Sequence, residues 1–517
     1  MPPFCSKGGD VIVLASGPTN LLNSTNFIDV RRKVRKPWPR CWREESLPIP
    51  SDSPADPLNW PSCVSICSCN SNRICGRWKK NIILYIVSIH AMQGPFSAAI
   101  VVPSLQQLAA ELKISLSRAT YIVSVQIICL GVMPLFWSPV ASRIGRRPVY
   151  LISALGSAAF ALTGAYCHSY RTLLVTRAFQ SIFISSAQSL GGSTVGDLFF
   201  AYQKGRKMGV WVLLVTIGPI LGPLIVGFLV QDKGWRSAFY LLAAIHLALF
   251  FAHLFFGPET LYLNRRSPGE GYGEKDVAVH TGWHHYVSFQ VFDRRPISVQ
   301  EIFRPLAMVF RPVVLLPALA YSITFCYTNV MMTILIPQLF GENFHLTPGQ
   351  MSLQFISLLV GAVLGEQIAG YGSDVLVNWR TKRAGGRRVP EFRLILATPG
   401  FLLAIIGVII WGIQLQNGVE GKWNVTPDIG SAIAIFGQQL VTTVCVTYAI
   451  ESYLEDTATF RQLYAFTAPF YFPIAFDSLG EAKASGLFAG IIGLGMLLVI
   501  ACNVWGPAWR GKRVIGA

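Results

Sequence analysis

The chain has 517 residues, of which 52% are hydrophobic and only 13% charged, with a mean hydropathy of +0.46. Soluble domains carry about 25% charged residues, so a soluble enzyme of this size lacks the charge to cover its surface. Disorder is excluded because so little of the chain is charged. The surplus of 43 Lys and Arg over 26 Asp and Glu would suit nucleic acid, but the basic residues stand in short runs between apolar stretches. That pattern orients membrane proteins instead.

Residues 1–80 read as a polar tail without the basic start and apolar core of a signal peptide. Near its end, Cys63, Cys67, Cys69 and Cys75 crowd the 15 residues 62–76. Their spacing suits neither a helix nor a zinc hairpin, so no metal site is expected. Val64-Ser65 can be encoded by the six bases that commonly begin an intron. Two readings stay open: a retained intron, or a real, flexible cytoplasmic insert that could bind metal or be acylated. Cys129, Cys167, Cys326, Cys445 and Cys502 lie in apolar runs and read as packing residues.

A membrane-spanning helix needs about 20 mostly apolar residues. Six such runs are expected at 82–103, 119–141, 149–167, 172–193, 208–230 and 237–257. After a polar middle, six more follow at 313–336, 350–370, 393–414, 428–450, 459–476 and 486–506. Pro469 and Pro473 interrupt the eleventh, and the tenth begins at Asp428 and carries Gln438 and Gln439. The expected organisation is a tail over 1–80, a six-helix half over 81–257 and a connector over 258–311. A second six-helix half over 312–507 and a short tail over 508–517 complete it. With twelve spans both termini share one side. That side carries 35 Lys and Arg, counting Arg461 with loop 10–11, against 7 opposite, and Arg177 lies within a span. The positive-inside rule then places both termini and the connector in the cytoplasm.

In loop 2–3, Ser138-Pro139-Val140-Ala141-Ser142-Arg143-Ile144-Gly145-Arg146-Arg147-Pro148 forms a short basic turn. Its second-half counterpart, Gly370-Tyr371-Gly372-Ser373-Asp374, is expected to follow the eighth span and lead into Arg380, Lys382, Arg383, Arg387 and Arg388. Gly218-Pro219-Ile220-Leu221-Gly222-Pro223, then Gly227, puts close-approach glycines and bending prolines in the fifth span. Arg177 precedes Ala178-Phe179-Gln180 in the fourth, and Glu366 is the acid set well inside a span. Asp56-Pro57-Leu58-Asn59-Trp60-Pro61, Asp197, Gly205, Arg206, Gly209, Trp235-Arg236, Pro258-Glu259-Thr260 and Pro390-Glu391-Phe392-Arg393-Leu394 are smaller marks.

These motifs, spread over about 50–510, resemble the major facilitator superfamily in its fungal drug:proton antiporter branch. The resemblance implies an all-α membrane protein with twelve transmembrane helices in two six-helix halves, the major facilitator fold. It implies alternating access about a mid-membrane site and proton-driven export of a small drug, toxin, secondary metabolite or polyamine. Arg143, Gly145, Arg146 and Arg147 match the family's cytoplasmic signature, whereas Ser138 and Ser142 replace its Gly and Asp. Gly370 and Asp374 stand for that signature in the second half, and Gly218, Pro219, Gly222, Pro223 and Gly227 for the antiporter signature.

Arg177, Glu366 and Glu451 are the candidates for proton coupling, since an ionisable residue inside a membrane is functional by default. The alternatives are an Arg177 that snorkels or binds carbonyls and a Glu366 paired with the basic loop nearby. His90, Gln93, Phe96, Gln180, Tyr327, Asn329, Gln438 and Gln439 are candidates to line a cavity, and each could equally bond a neighbouring helix. Asn424-Val425-Thr426 is a sequon near the membrane followed by Pro427, so little glycosylation is expected.

Enzyme motifs are absent, so no enzyme activity and no cofactor are expected, and without a glycine loop of the ATP-binding kind no ATP-driven pump is expected. The expected partners are protons, the substrate and the lipid bilayer. A monomer in the plasma membrane is expected, with the vacuole or another endomembrane as the alternative location. Two rivals remain: an importer of a nitrogenous nutrient with the same fold, and a non-transporting, receptor-like relative.

Overall fold

A computed structural model describes residues 77–199, 201–260, 298, 312–383, 390–419, 421–452 and 458–511. All of them fall in the unit Trp60–Ala517. Residues 1–76, with the 62–76 insert, and most of the connector lie outside the described residues.

The expected apolar runs fall mainly in helix, with breaks at residues 100–101, Met133, Gln354 and Thr467. The first half comprises α1 (Arg77–Ala99), a 3-10 turn, α2 (Leu105–Glu111), α3 (Leu116–Val132) and α4 (Pro134–Ile144). It continues with α5 (Arg146–Ala165), α6 (Tyr170–Leu198), α7 (Ala201–Lys233) and α8 (Arg236–Phe256). In the second half, α9 (Pro312–Phe325), α10 (Met331–Leu335) and α11 (Gly341–Phe344) are joined by π-helical turns at Cys326–Val330 and Ile336–Phe340. Then come α12 (Pro348–Leu353), α13 (Phe355–Arg383), α14 (Ala397–Gln416) and α15 (Thr426–Ser452). The chain ends with α16 (Ala458–Phe466), α17 (Ala468–Leu479) and α18 (Glu481–Gly511).

Among the described residues, nine stretches are long and apolar enough to cross a membrane, or ten if α3 and α4, bent by 45°, are one span. The other two are α6, which carries Arg177, Gln180, Gln188 and Asp197, and the pair α16–α17, which breaks at Thr467. The packing is apolar on the outside. Phe251, Phe255, Leu494, Leu497 and Val504 are exposed, whereas Gln93, Gln126, Arg177 and Gln188 are buried. In water that arrangement would leave a large sticky surface; against lipid it is the stable one.

Three expectations are corrected. The eighth span runs on to Arg383, so Gly370 to Asp374 are helical and not a loop. Arg393 holds this extension by bonding Asp374 at 2.9 Å and the Ser373 hydroxyl at 3.0 Å. Arg380, Lys382 and Arg383 close it with charge that favours a helix C-terminus. Arg461, counted with loop 10–11, is instead buried in α16 with its guanidinium over the Phe325 ring. The seventh span does not stop at 336 but continues through its second π turn, where Pro337 sits, to Phe344.

Within the first half α7 packs on α1, α5 on α8 and α6, and α6 on α1 and α3. Within the second, α15 packs on α14 and α13, and α18 on α14 and α9. The two sets meet where α7 lies against α12 and α13, and where α3 lies against α16.

Candidate functional site

Gly145 makes the basic turn a single residue. Its φ of 93° lies where a side chain is strained, and α5 begins at the next residue. Glu259 accepts the backbone N–H groups of Arg146 and Arg147 at 3.1 and 3.0 Å. A carboxylate there satisfies two orphan donors and complements the helix dipole. Arg146 bonds Asp197 at 2.7 Å, and Arg147 donates to the Leu254 carbonyl. Arg143 is buried in the last turn of α4. Ser142 donates its hydroxyl to the Pro139 carbonyl. Glu259 and Asp197 therefore supply the negative charge that Ser142 lacks. Neither follows from the turn's own sequence, because they lie 51 and more residues away.

The glycines of α7 divide by partner. A Cβ on Gly218 or Gly222 would stand 2.8 Å from the carbonyl oxygen of Met92 or Phe96, so α1 and α7 touch backbone to backbone. Pro219 and Pro223 sit within α7, which remains helical through both. Gly227 faces Ser352 of α12 instead, on the other half.

Glu366 lies where α7, α13 and α15 meet. It is buried and accepts from Gln439 Nε2 at 2.7 Å and from the Thr443 hydroxyl. Its Oε1 would be 3.0 Å from a Cβ placed on Gly209. Its hydrogen-bond donors are neutral side chains of α15, not a basic loop. The Oε1 of Gln439 has no hydrogen-bond partner among the described residues. Turning that amide would offer an acceptor to a protonated carboxyl, so the same two groups can hold Glu366 charged or neutral. The sequence placed Gln439 among cavity candidates and gave no sign of Thr443, whose partner lies 77 residues away.

Arg177 is buried in α6. It donates to the Ser97 carbonyl at 2.7 Å and to Gln180 at 3.1 Å, and its guanidinium lies 5.2 Å from the Phe239 ring centre. A charge at mid-membrane costs about 2.5–3.5 kcal/mol on insertion scales, and these contacts offset part of it. Glu451 ends α15, and its side chain lies outside the described residues.

The cavity candidates scatter. Phe96 and Gln93 are buried on α1, and His90 bonds His253 of α8 at 2.9 Å. Tyr327 sits in the first π turn, accepts from Tyr471 at 3.1 Å and stacks on Phe488. Asn329 is buried in the same turn with both amide atoms unbonded among the described residues. Gln438 donates to Thr442 one turn on, within α15. Gln93 Oε1 and both amide atoms of Gln188 also lack hydrogen-bond partners there. Each unsatisfied buried polar group costs about 1–3 kcal/mol, so these amides are the groups a polar ligand or water would relieve. Gly370 has open space beside it, and Asn424 is exposed just ahead of α15.

The profile described as Major Facilitator Superfamily matches residues 91–499. The chain is 27% identical to "Probable efflux pump mfs2" of Aspergillus flavus over 80% of its own length and 98% of that protein. It is 28% identical to the MFS transporter cpaT of Aspergillus oryzae, over 87% of this chain and 88% of that one. It is 33% identical to the MFS antiporter QDR3 of Candida albicans over 35% of this chain and 26% of that one. The match spans the helices, the basic turn, the glycine face of α7 and the Glu366 contact just described. The chain belongs to the Major Facilitator Superfamily of membrane transporters.

Proposed function

We propose that this transporter exports a small organic compound in exchange for protons, with Glu366 as the proton carrier. The supporting observation is the position of Glu366, buried between α13 and α15 and against Gly209 of α7. A carboxyl in that seam changes charge where one half of the molecule moves over the other. Charged, it presents a carboxylate to Gly209 across the seam while both its donors stay on α15; neutral, it is held by the same two groups and presents no charge there. The relatives named as an efflux pump and an antiporter support the direction.

In this reading the chain crosses the membrane twelve times in two six-helix halves, with both termini in the cytoplasm and the protein acting as a monomer. The bent pair α3–α4 is one span, and α6 and α16–α17 are spans that only their neighbours make apolar enough. The substrate is an amphiphilic or cationic drug, toxin, secondary metabolite or polyamine. Everted vesicles from cells expressing the chain test this. Acidifying their lumen should drive uptake of a fluorescent lipophilic cation or a polyamine, and collapsing the gradient with a protonophore should stop it. Uptake that ignores the protonophore would overturn the exchange.

A further inference from the structure

Helix α13 has an outward face as well as the one that holds Glu366. Ile356, Val360, Leu364, Ile368, Tyr371 and Val375 recur at helical spacing and are all exposed, so they form one mostly apolar row. From Ile356 to Val375 the helix rises about 28 Å at about 1.5 Å per residue. That is close to the roughly 30 Å of a bilayer's hydrocarbon core. The helix does not stop there but runs on to Arg383.

Trp379 stands one turn past Val375 in the same row and is exposed. Tryptophan collects at the headgroup level of a bilayer, because its ring is apolar and its N–H is not. Arg383, one turn further, sets its guanidinium over the Trp379 ring, 3.9 Å from the centre. A guanidinium in contact with a ring face still turns N–H groups away from it, where they can fork onto a phosphate. Lys382 neighbours Trp379 on the same face, three residues on. Arg380 leans to the other side, 5.8 Å from the Phe392 ring centre. All three cations are exposed. Among the described residues no carboxylate pairs with any of them, since Asp374 is held by Arg393 at 2.9 Å. A helix dipole presents only about half a negative charge at its C-terminus, so three full positive charges exceed what the helix end itself needs.

We infer that the end of α13 is a binding site for an acidic phospholipid. Arg380, Lys382 and Arg383 take the phosphate and the headgroup's negative charge. The glycerol region lies against Trp379, and an acyl chain follows the row back from Val375 to Leu364. The occupant is a lipid and not a soluble phosphate because the apolar row runs up to the cations without a gap. In the proposed orientation the site faces the cytoplasmic leaflet, which holds the acidic lipids. Binding itself rests neither on that orientation nor on proton exchange.

The test is a titration of the purified full-length chain in detergent, with bound lipids counted by native mass spectrometry. Phosphatidylserine should bind roughly tenfold more tightly than phosphatidylcholine with the same acyl chains. Arg380→Gln/Lys382→Gln/Arg383→Gln should weaken the tightest phosphatidylserine site by about a hundredfold, about fivefold for each cation near a headgroup. Phosphatidylcholine binding should not change. Lys382→Gln alone should cost about fivefold, and it decides the matter if the triple variant fails to fold. Lys422→Gln/Lys483→Gln removes two exposed cations elsewhere and should leave the site intact. Three results overturn the site: phosphatidylserine that binds no better than phosphatidylcholine, parent affinity in the α13 variants, or an equal loss in the Lys422/Lys483 variant. Glycerophosphoserine, which lacks acyl chains, should fail to displace the lipid at millimolar concentration. Displacement would reveal a site for the headgroup alone and overturn the lipid assignment. A chain that binds the lipid here but exports nothing keeps this site and loses the export reading.

Discussion

At the residue scale, what the sequence shows is which residues are out of place. Arg177 and Glu366 stand out because ionisable groups inside apolar runs are costly. What they touch is not legible, since an apolar helix without periodicity hides which face is buried. Thr443 and Gly209 matter only through contacts made by folding. Two substitutions follow from those contacts. Gly209→Ala puts a methyl group against Glu366 and nothing else within 4 Å. It should change stability by less than about 1 kcal/mol, since the carboxylate can move, yet slow transport several-fold. Thermal unfolding in detergent and transport rates measured on the same preparations would check this. Arg177→Lys should retain more transport than Arg177→Ala. Lysine keeps the charge near the Ser97 carbonyl but loses the planar fork that also reaches Gln180.

At the element scale, the spans are legible because an apolar run of about 20 residues matches the length of helix that crosses a bilayer. Their ends and breaks are less so. The run of α13 past Gly370 depends on Arg393, which arrives from beyond the basic loop. The π turns of the seventh span leave no periodic mark in a stretch that is buried on all sides. The glycine signature of α7 is legible as small residues, but its split between α1 and α12 is not. Gly222→Leu should therefore act on the first half alone. A side chain there must displace the backbone of α1 at Phe96 and of Ile100 just past its end, an overpacking cost of about 1–3 kcal/mol or more. The measurement is the midpoint of thermal unfolding, with Gly227→Leu for comparison. The Gly227 variant meets Ser352 and Pro348 of the other half, so it should alter transport more than folding.

At the scale of the whole molecule, the sequence shows six apolar runs, a polar middle and six more, and the proposal of two six-helix halves rests on that pattern. Moving Arg461 into α16 leaves the sided charge bias at 34 to 7, on which the proposed orientation rests. A tag placed beside Glu274 in the connector should be reached by antibody only after cells are permeabilised. Labelling of intact cells would contradict the orientation. In the proposed alternating-access reading, the contacts of α7 with α12 and α13, and of α3 with α16, form the seam along which the two halves rock. Their geometry could not be read from the chain, because each contact joins residues more than a hundred positions apart. The central claim is that proton movement and substrate movement are one process that passes through Glu366. Proteoliposomes with a pH-sensitive dye in the lumen test it most directly, with a transported lipophilic cation or polyamine added outside. The account predicts substrate-dependent proton flux in the opposite direction, abolished by Glu366→Gln in protein that still folds and still binds the substrate. Undiminished substrate-driven proton flux through the Glu366→Gln protein would contradict it.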